Sequence, residues 1–211
     1  MSAEQIAATL ETEIVEGRFR PGEELKQGEI AKRFAISRIP VRDALQLLAS
    51  RGMISLVPNR RARVISLEPA EISEIYDLRV LLETDCLHHA IKQMTENDLG
   101  AIEVAYAHSS IDAGTDRWAS GDWAFHQSLY LPARRPRQLK LIEELRRTCC
   151  IHIAGYGVLP AQTRDWLEDH KDILSAVRNR NTADAQDILK RHIMDACATL
   201  LSAWPTENTG S

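Results

Sequence analysis

Aromatic residues are scarce in this chain: three Phe, four Trp and four Tyr among 211 residues. Leu, Ala, Ile, Glu and Arg are plentiful instead, a composition that suits helices. No run of about 18 apolar residues occurs, which excludes a membrane-spanning helix. The N-terminus, Met1-Ser2-Ala3-Glu4-Gln5, has no basic start followed by an apolar stretch, so no secretory signal is expected. Cysteine is limited to Cys86, Cys149, Cys150 and Cys197, and none of them forms a CxxC pair. All four lie in helical, mostly apolar contexts and read as buried, reduced thiols of a cytoplasmic protein. The adjacent Cys149-Cys150 pair, a possible redox sensor, is read as packing. There is no internal repeat and no convincing strand past residue 67. The length gives room for two domains.

What is present is concentrated first between Gln27 and Ile65. Ile30, Ala31 and Phe34 fall on one face of a short helix, Ala35-Ile36 makes a tight turn, and Ser37 caps a second helix. The buried face of that second helix is Val41, Ala44, Leu45 and Leu48, and the small Ala31 stands where two helices must cross closely. This is a helix-turn-helix pattern, in which the second helix enters the major groove and offers its N-terminal residues to base edges. Here those residues are Ser37, Arg38, Ile39 and Arg42.

Two β-prone runs follow, Met53-Ile54-Ser55-Leu56-Val57 and Arg63-Val64-Ile65-Ser66-Leu67, around a basic tip that carries Arg60 and Arg61. From Gly17 to Arg63 the chain holds eleven Lys/Arg against four Asp/Glu, or +7, inside a chain of net −4. A local basic excess in an acidic protein is an electrostatic footprint for nucleic acid, against which stands the plainer reading of a solvated charged face. Lys32 and Arg33 are expected to hold the DNA backbone, and Arg60 and Arg61 the wing.

Ser37-Arg38-Ile39-Pro40-Val41-Arg42-Asp43-Ala44-Leu45, with Leu48 and Arg51-Gly52-Met53-Ile54, resembles the winged-helix signature of the GntR family of bacterial transcription regulators. Gly17-Arg18-Phe19-Arg20-Pro21-Gly22-Glu23-Glu24-Leu25 resembles the loop between that family's first two helices. Departures are Ile39 where Thr is more usual, Gly28 where a larger polar residue is common, and Arg61 where a Gly is common.

Beyond Leu67-Glu68-Pro69-Ala70, six helical segments are predicted: 69–94, 96–112, 115–131, 136–156, 160–179 and 182–203. Thr95-Glu96-Asn97-Asp98 and Thr182-Ala183-Asp184 read as helix starts. The expected fold is mainly α: a winged helix-turn-helix domain over 1–67, an all-α bundle of six or seven helices over 68–204, and a disordered tail over 205–211.

Asp122 and His126 lie four apart and so share a helix face. His170 and His192 are each eleven residues from Asn181, the turn between the last two helices, and in an antiparallel hairpin stand at the same height. One carboxylate and three imidazoles suit Zn, Ni, Co, Fe or Mn, one ion per chain. His88, His89, His108 and His152 read as ordinary core or surface residues. Asp122-Trp123-Ala124-Phe125-His126, Glu168-Asp169-His170-Lys171-Asp172-Ile173-Leu174 and His192 then resemble the metal-binding positions of the FCD ligand-binding domain, found in the FadR-like branch of the GntR family. Glu168 and Asp169 are expected off the ligand face. The resemblance implies a metal that anchors a small carboxylate or sugar-acid effector rather than a catalytic one. Arg79, in Tyr76-Asp77-Leu78-Arg79-Val80-Leu81-Leu82-Glu83, is the candidate to meet that anion, against a structural pair with Glu83. Arg146 and Arg147 are weaker candidates for that role and read rather as surface charges.

The sequence therefore predicts a cytoplasmic homodimeric regulator, a repressor rather than an enzyme, on a palindromic double-stranded operator. The rival readings are a metal-dependent enzyme fused to a DNA-binding module, and a regulator that senses its ligand without metal.

Overall fold

The computed structural model describes residues 1–57, 61–115, 117–158 and 162–204. Arg60 and the 205–211 tail lie outside the described residues. The chain opens with α1 (Ala3–Val15), where Ser2 and Gln5 form a reciprocal capping box. Then come α2 (Gln27–Arg33), α3 (Arg38–Ser50), β1 (Ile54–Val57) and β2 (Arg61–Val64). The turn between α2 and α3 is made by Ala35 in the left-handed region, with φ of 54°. Ile36 N donates to Ala31 O at 3.0 Å and closes it. Val41, Ala44, Leu45 and Leu48 are all buried, so the predicted inner face of α3 is the observed one. Ser37 occupies the N-cap position, but its side chain makes no capping bond.

The second strand starts two residues earlier than the sequence suggests. β1 and β2 pair antiparallel from Ile54↔Val64 to Val57↔Arg61, which places Arg61 in the strand rather than at the tip. The reason is a second partner on the other edge: Leu25 N donates to Ala62 O at 2.8 Å, and Val64 N to Glu23 O at 2.9 Å. The loop after α1 thus holds β2 from one side while β1 holds it from the other.

The rest is helical: α4 (Pro69–Gln93), α5 (Glu96–Asp112), α6 (Trp118–Tyr130), a 3-10 turn (Leu131–Ala133), α7 (Pro136–Gly155), α8 (Thr163–Arg178) and α9 (Thr182–Ser202). All six predicted helices are found, most of them shorter by one to three residues at an end. Pro69 opens α4 at its first turn, and Thr95 with Asp98 caps α5. The cap of α9 is Asn181, whose side chain accepts from Asp184 N, and not Thr182.

Buried side chains form two clusters, one under α1–α3 and the wing, the other inside the bundle. They are joined through α7, whose Ile151 is fully buried in the first cluster. The approach is close enough to need glycine. A Cβ on Gly17, which has φ of +77°, would stand 2.7 Å from Ala154 O, and one on Gly155 would stand 2.3 Å from Pro21 Cδ. His152 completes the seam: its Nδ1 bonds Thr148 O at 2.8 Å and its Nε2 accepts from Leu67 N at 3.2 Å. It is a satisfied core histidine.

Candidate metal centre and nucleic-acid interface

Asp122 and His126 project from α6, His170 from α8 and His192 from α9, and all four are buried. One donor atom from each lies within 4.8 Å of all the others. His126 Nε2 is 3.1 Å from His170 Nε2, and Asp122 Oδ1 is 3.4 Å from His170 Nε2 and 3.7 Å from His126 Nε2. The hairpin argument holds, since the His170 and His192 rings are 5.1 Å apart at their centres.

Outer partners orient two of the three rings. Tyr130 Oη donates to Glu83 Oε2 at 2.6 Å, so the proton between Tyr130 and His126, 3.3 Å apart, sits on His126 Nδ1. That leaves a lone pair on His126 Nε2, aimed at the cluster. His192 Nδ1 meets Asp169 Oδ2 at 3.0 Å, which frees its Nε2 in the same way. Asp169 therefore does not point off the ligand face as expected; the α8–α9 hairpin swings it onto His192. His170 is held by packing instead, between Trp118 and Phe125 at ring-centre distances of 5.6 and 4.4 Å. Its Nδ1 is a buried polar atom without a hydrogen-bond partner.

Burial pushes His170 down to about 4, and burial followed by the Arg146 charge pushes His126 well below the ordinary histidine value. Both imidazoles are neutral at neutral pH. Burial alone would raise Asp122, but the Arg146 charge holds it well below the usual carboxylate range. Arg146 is the main correction to the sequence reading. It is buried rather than a surface charge, and donates to Asp122 Oδ2 at 2.6 Å and to Glu83 Oε2 at 2.8 Å. Arg79 is also buried and donates to Glu83 Oε1 at 2.7 Å, so the pair weighed for it is present. It also lines the same small cavity as Asp122, Arg146 and His192. The two readings of Arg79 are compatible.

The donor set fits a divalent cation. Metal–ligand bonds of about 2.1 Å at angles of about 90–110° put donor atoms about 3.0–3.4 Å apart. The three Asp122, His126 and His170 separations fall in or near that range. His126 Nε2 and His170 Nε2, 3.1 Å apart, share one hydrogen bond that a cation would replace with two ligand bonds.

In the winged domain, Lys32, Arg33, Ser37, Arg38, Ile39, Arg42 and Arg61 are all exposed, the apolar Ile39 at 64%. Arg38, Ile39 and Arg42 share one shallow recess with the Glu24–Gln27 loop. Arg33 is a partial correction: its guanidinium makes a two-pronged pair with the buried Glu13 of α1 and lies over the Phe34 ring. It ties α2 to α1 instead of standing free for a phosphate. The four cysteines are free, and burial pushes Cys150 up to about 12 and raises Cys149, which keeps the adjacent pair in the thiol form.

Two protein families match, the bacterial regulatory proteins of the gntR family over residues 2–64 and the FCD domain over residues 74–195. The chain is a GntR-family regulator with an FCD domain. Among relatives of this GntR protein, the HTH-type transcriptional repressor GlaR of Escherichia coli (strain K12) is 26% identical over 88% of this chain and 89% of its own. The gluconate operon transcriptional repressor of Bacillus subtilis (strain 168) is 36% identical over 59% of this chain and 52% of its own. Two solved structures share the fold with a TM-score of 0.81. E. coli McbR/YncC is 21% identical over 95% of this chain and 97% of its own. A GntR regulator from Rhodococcus sp. RHA1 is 23% identical over 96% and 99%. Such relatives bear out a DNA-binding transcription regulator and not an enzyme. Among the described residues, no helix is long and apolar enough to cross a membrane.

In this GntR chain, Arg146 and Asp169 touch the cluster in a way that the sequence reading did not give them. Arg146 could have been found, because Ile142, Arg146, Cys149 and Ile153 follow a helical period and all are buried. Asp169 left no such signal, for its partner His192 belongs to another helix.

Proposed function

We propose that this protein is a cytoplasmic homodimeric repressor whose operator affinity is set by a small carboxylate held at a divalent metal in the FCD bundle. The observation that carries this reading is the convergence of three buried imidazoles and one buried carboxylate, with donor atoms within 4.8 Å of one another. Asp122, His126, His170 and His192 are the ligands, with Zn, Ni, Mn, Fe or Co as the ion. When bound, the ion supplies a Lewis-acidic anchor for an anionic oxygen.

Charge balance supports an anionic effector. Arg79 and Arg146 already balance Glu83 and Asp122 in the interior, while Asp169 is partly exposed. A dication added to that balanced set leaves positive charge, which a carboxylate cancels. Arg79 and Arg146 line the space where it would lie. On the DNA side, Arg38 and Arg42 read the operator from the start of α3, with Ser37 and Ile39 beside them. Lys32 and the wing residues Arg60 and Arg61 contact phosphate. Two such domains in a dimer would read a palindrome. Effector binding acts by favouring one placement of the winged domains over another.

Plasma mass spectrometry of untagged protein purified without chelators tests the reading. About one metal per chain, lost in His170→Ala/His192→Ala, is expected. Protein that stays metal-free after soaking and desalting would sink it.

A further inference from the structure

Two cavities share Arg146 in their linings. The inner one, about 40 Å³, is bounded by Arg79, Asp122, Arg146 and His192. An enclosed water needs about 10–15 Å³, so this space admits a group of about three heavy atoms, the size of a carboxylate. The outer one, about 390 Å³, opens where α1 leans on the bundle, with Thr12 and Val15 on one side and Trp123 and Cys150 on the other. Ala119, Arg146 and Cys150 line both. The Arg146 guanidinium reaches Asp122 and Glu83 inward and lies 6.0 Å from the Trp123 ring centre outward.

The charges around the outer cavity are largely matched among themselves. Arg117 pairs with Asp112 at 3.2 Å, Arg147 with Glu143 at 2.9 Å, and Glu11 with both Arg147 and Arg51. Beside Thr12, Glu16 and Ser120, a ligand there meets the apolar Val15, Ala119 and Trp123. Since about 150 Å³ is enough to hold benzene, a space of this size holds a ring and a short chain.

We infer that the effector is an amphipathic monocarboxylic acid. Its carboxylate occupies the inner cavity and its aryl or alkyl body lies in the outer one, against Trp123 and the Val15 face of α1. This rests on the carboxylate-effector reading above and narrows it: an apolar body gains from Val15, Ala119 and Trp123, which offer a sugar acid's hydroxyls no partner. It also places the ligand against the DNA-reading half directly, because Ile6, Leu10 and Ile14 of α1 belong to that half's core.

The test is titration calorimetry on the full chain incubated with zinc, using acetate, gluconate and 3-phenylpropionate, beside Val15→Trp and Thr12→Trp. In the unaltered chain, 3-phenylpropionate should bind at least about tenfold more tightly than acetate or gluconate, as burying an aryl body in an apolar space requires. Each tryptophan should abolish that advantage and leave acetate binding unchanged. Thr12 is exposed, so its variant decides alone if circular dichroism shows Val15→Trp to be misfolded. Equal binding of the three acids, or an advantage that survives the tryptophans, overturns the placement. Failure of all three, acetate included, overturns the carboxylate reading itself and the inference with it.

Discussion

The arginines of α3 and those of the bundle are set up in opposite ways. Arg38 and Arg42 stand exposed, and among the described residues their one approach to an acid is that of Arg42 to its neighbour Asp43, at 3.5 Å. Arg79 and Arg146 are about 95% buried and tied to Glu83 and Asp122 by bonds of 2.6–2.8 Å. An exposed cation keeps its reach for a phosphate or a base and contributes little to the fold. A buried one is costly to desolvate, so its partners hold it in place, and any ligand it meets must enter an already balanced network. The two arginines of α3 therefore offer their charge outward, while Arg79 and Arg146 hold theirs inside a paired network.

The largest expected effect comes from breaking the buried network. Arg146→Ala leaves Asp122 without its strongest cation and Glu83 with Arg79 alone, and should cost about 3–5 kcal/mol in urea unfolding. A loss under about 1 kcal/mol would mean that the network is looser than its distances imply. Next comes the exposed side. Arg38→Ala should weaken a cognate operator by about 1–3 kcal/mol with no change in melting temperature. Equal weakening on random DNA would show that Arg38 touches phosphate only.

Arg33 blurs the comparison and can sharpen it, being exposed yet paired. Its hydrogen bonds to Glu13 hold that carboxylate below the ordinary glutamate range. A depressed carboxylate stabilises the fold above its unfolded value, and the contribution drains away as the pH falls through the folded value. Glu13→Gln should therefore lose about 1 kcal/mol or less near neutrality, the guanidinium being half exposed, and show a flatter decline in acid. A parallel acid decline in both proteins would rule the pair out as a pH-linked contributor. Smallest is Lys32→Ala, expected to lower the salt slope of operator binding by about 1 without changing sequence preference. An unchanged slope would remove Lys32 from the interface.

The two halves were also unequally legible. The helix-turn-helix could be read because its code is local: Ala31 at the crossing, the Val41–Leu48 stripe, and exposed arginines at the start of one helix. The four metal-ligand candidates were legible because helical period and hairpin symmetry convert spacing into position. The start of β2 was misplaced because the Glu23–Leu25 loop, some forty residues upstream, pairs with it. Arg146 was misjudged on charge type alone, although its stripe ran through a buried face.

From residue order alone came the helix periods, the local basic excess and the pairing of Asp122 with His126, since each depends on neighbours within a few turns. Only the tertiary structure decided that Asp169 supports His192, that Arg146 bridges Asp122 and Glu83, and that α1 roofs a cavity beside them. Those facts join side chains from different helices, and their contact depends on how the helices pack, which no short window of sequence contains.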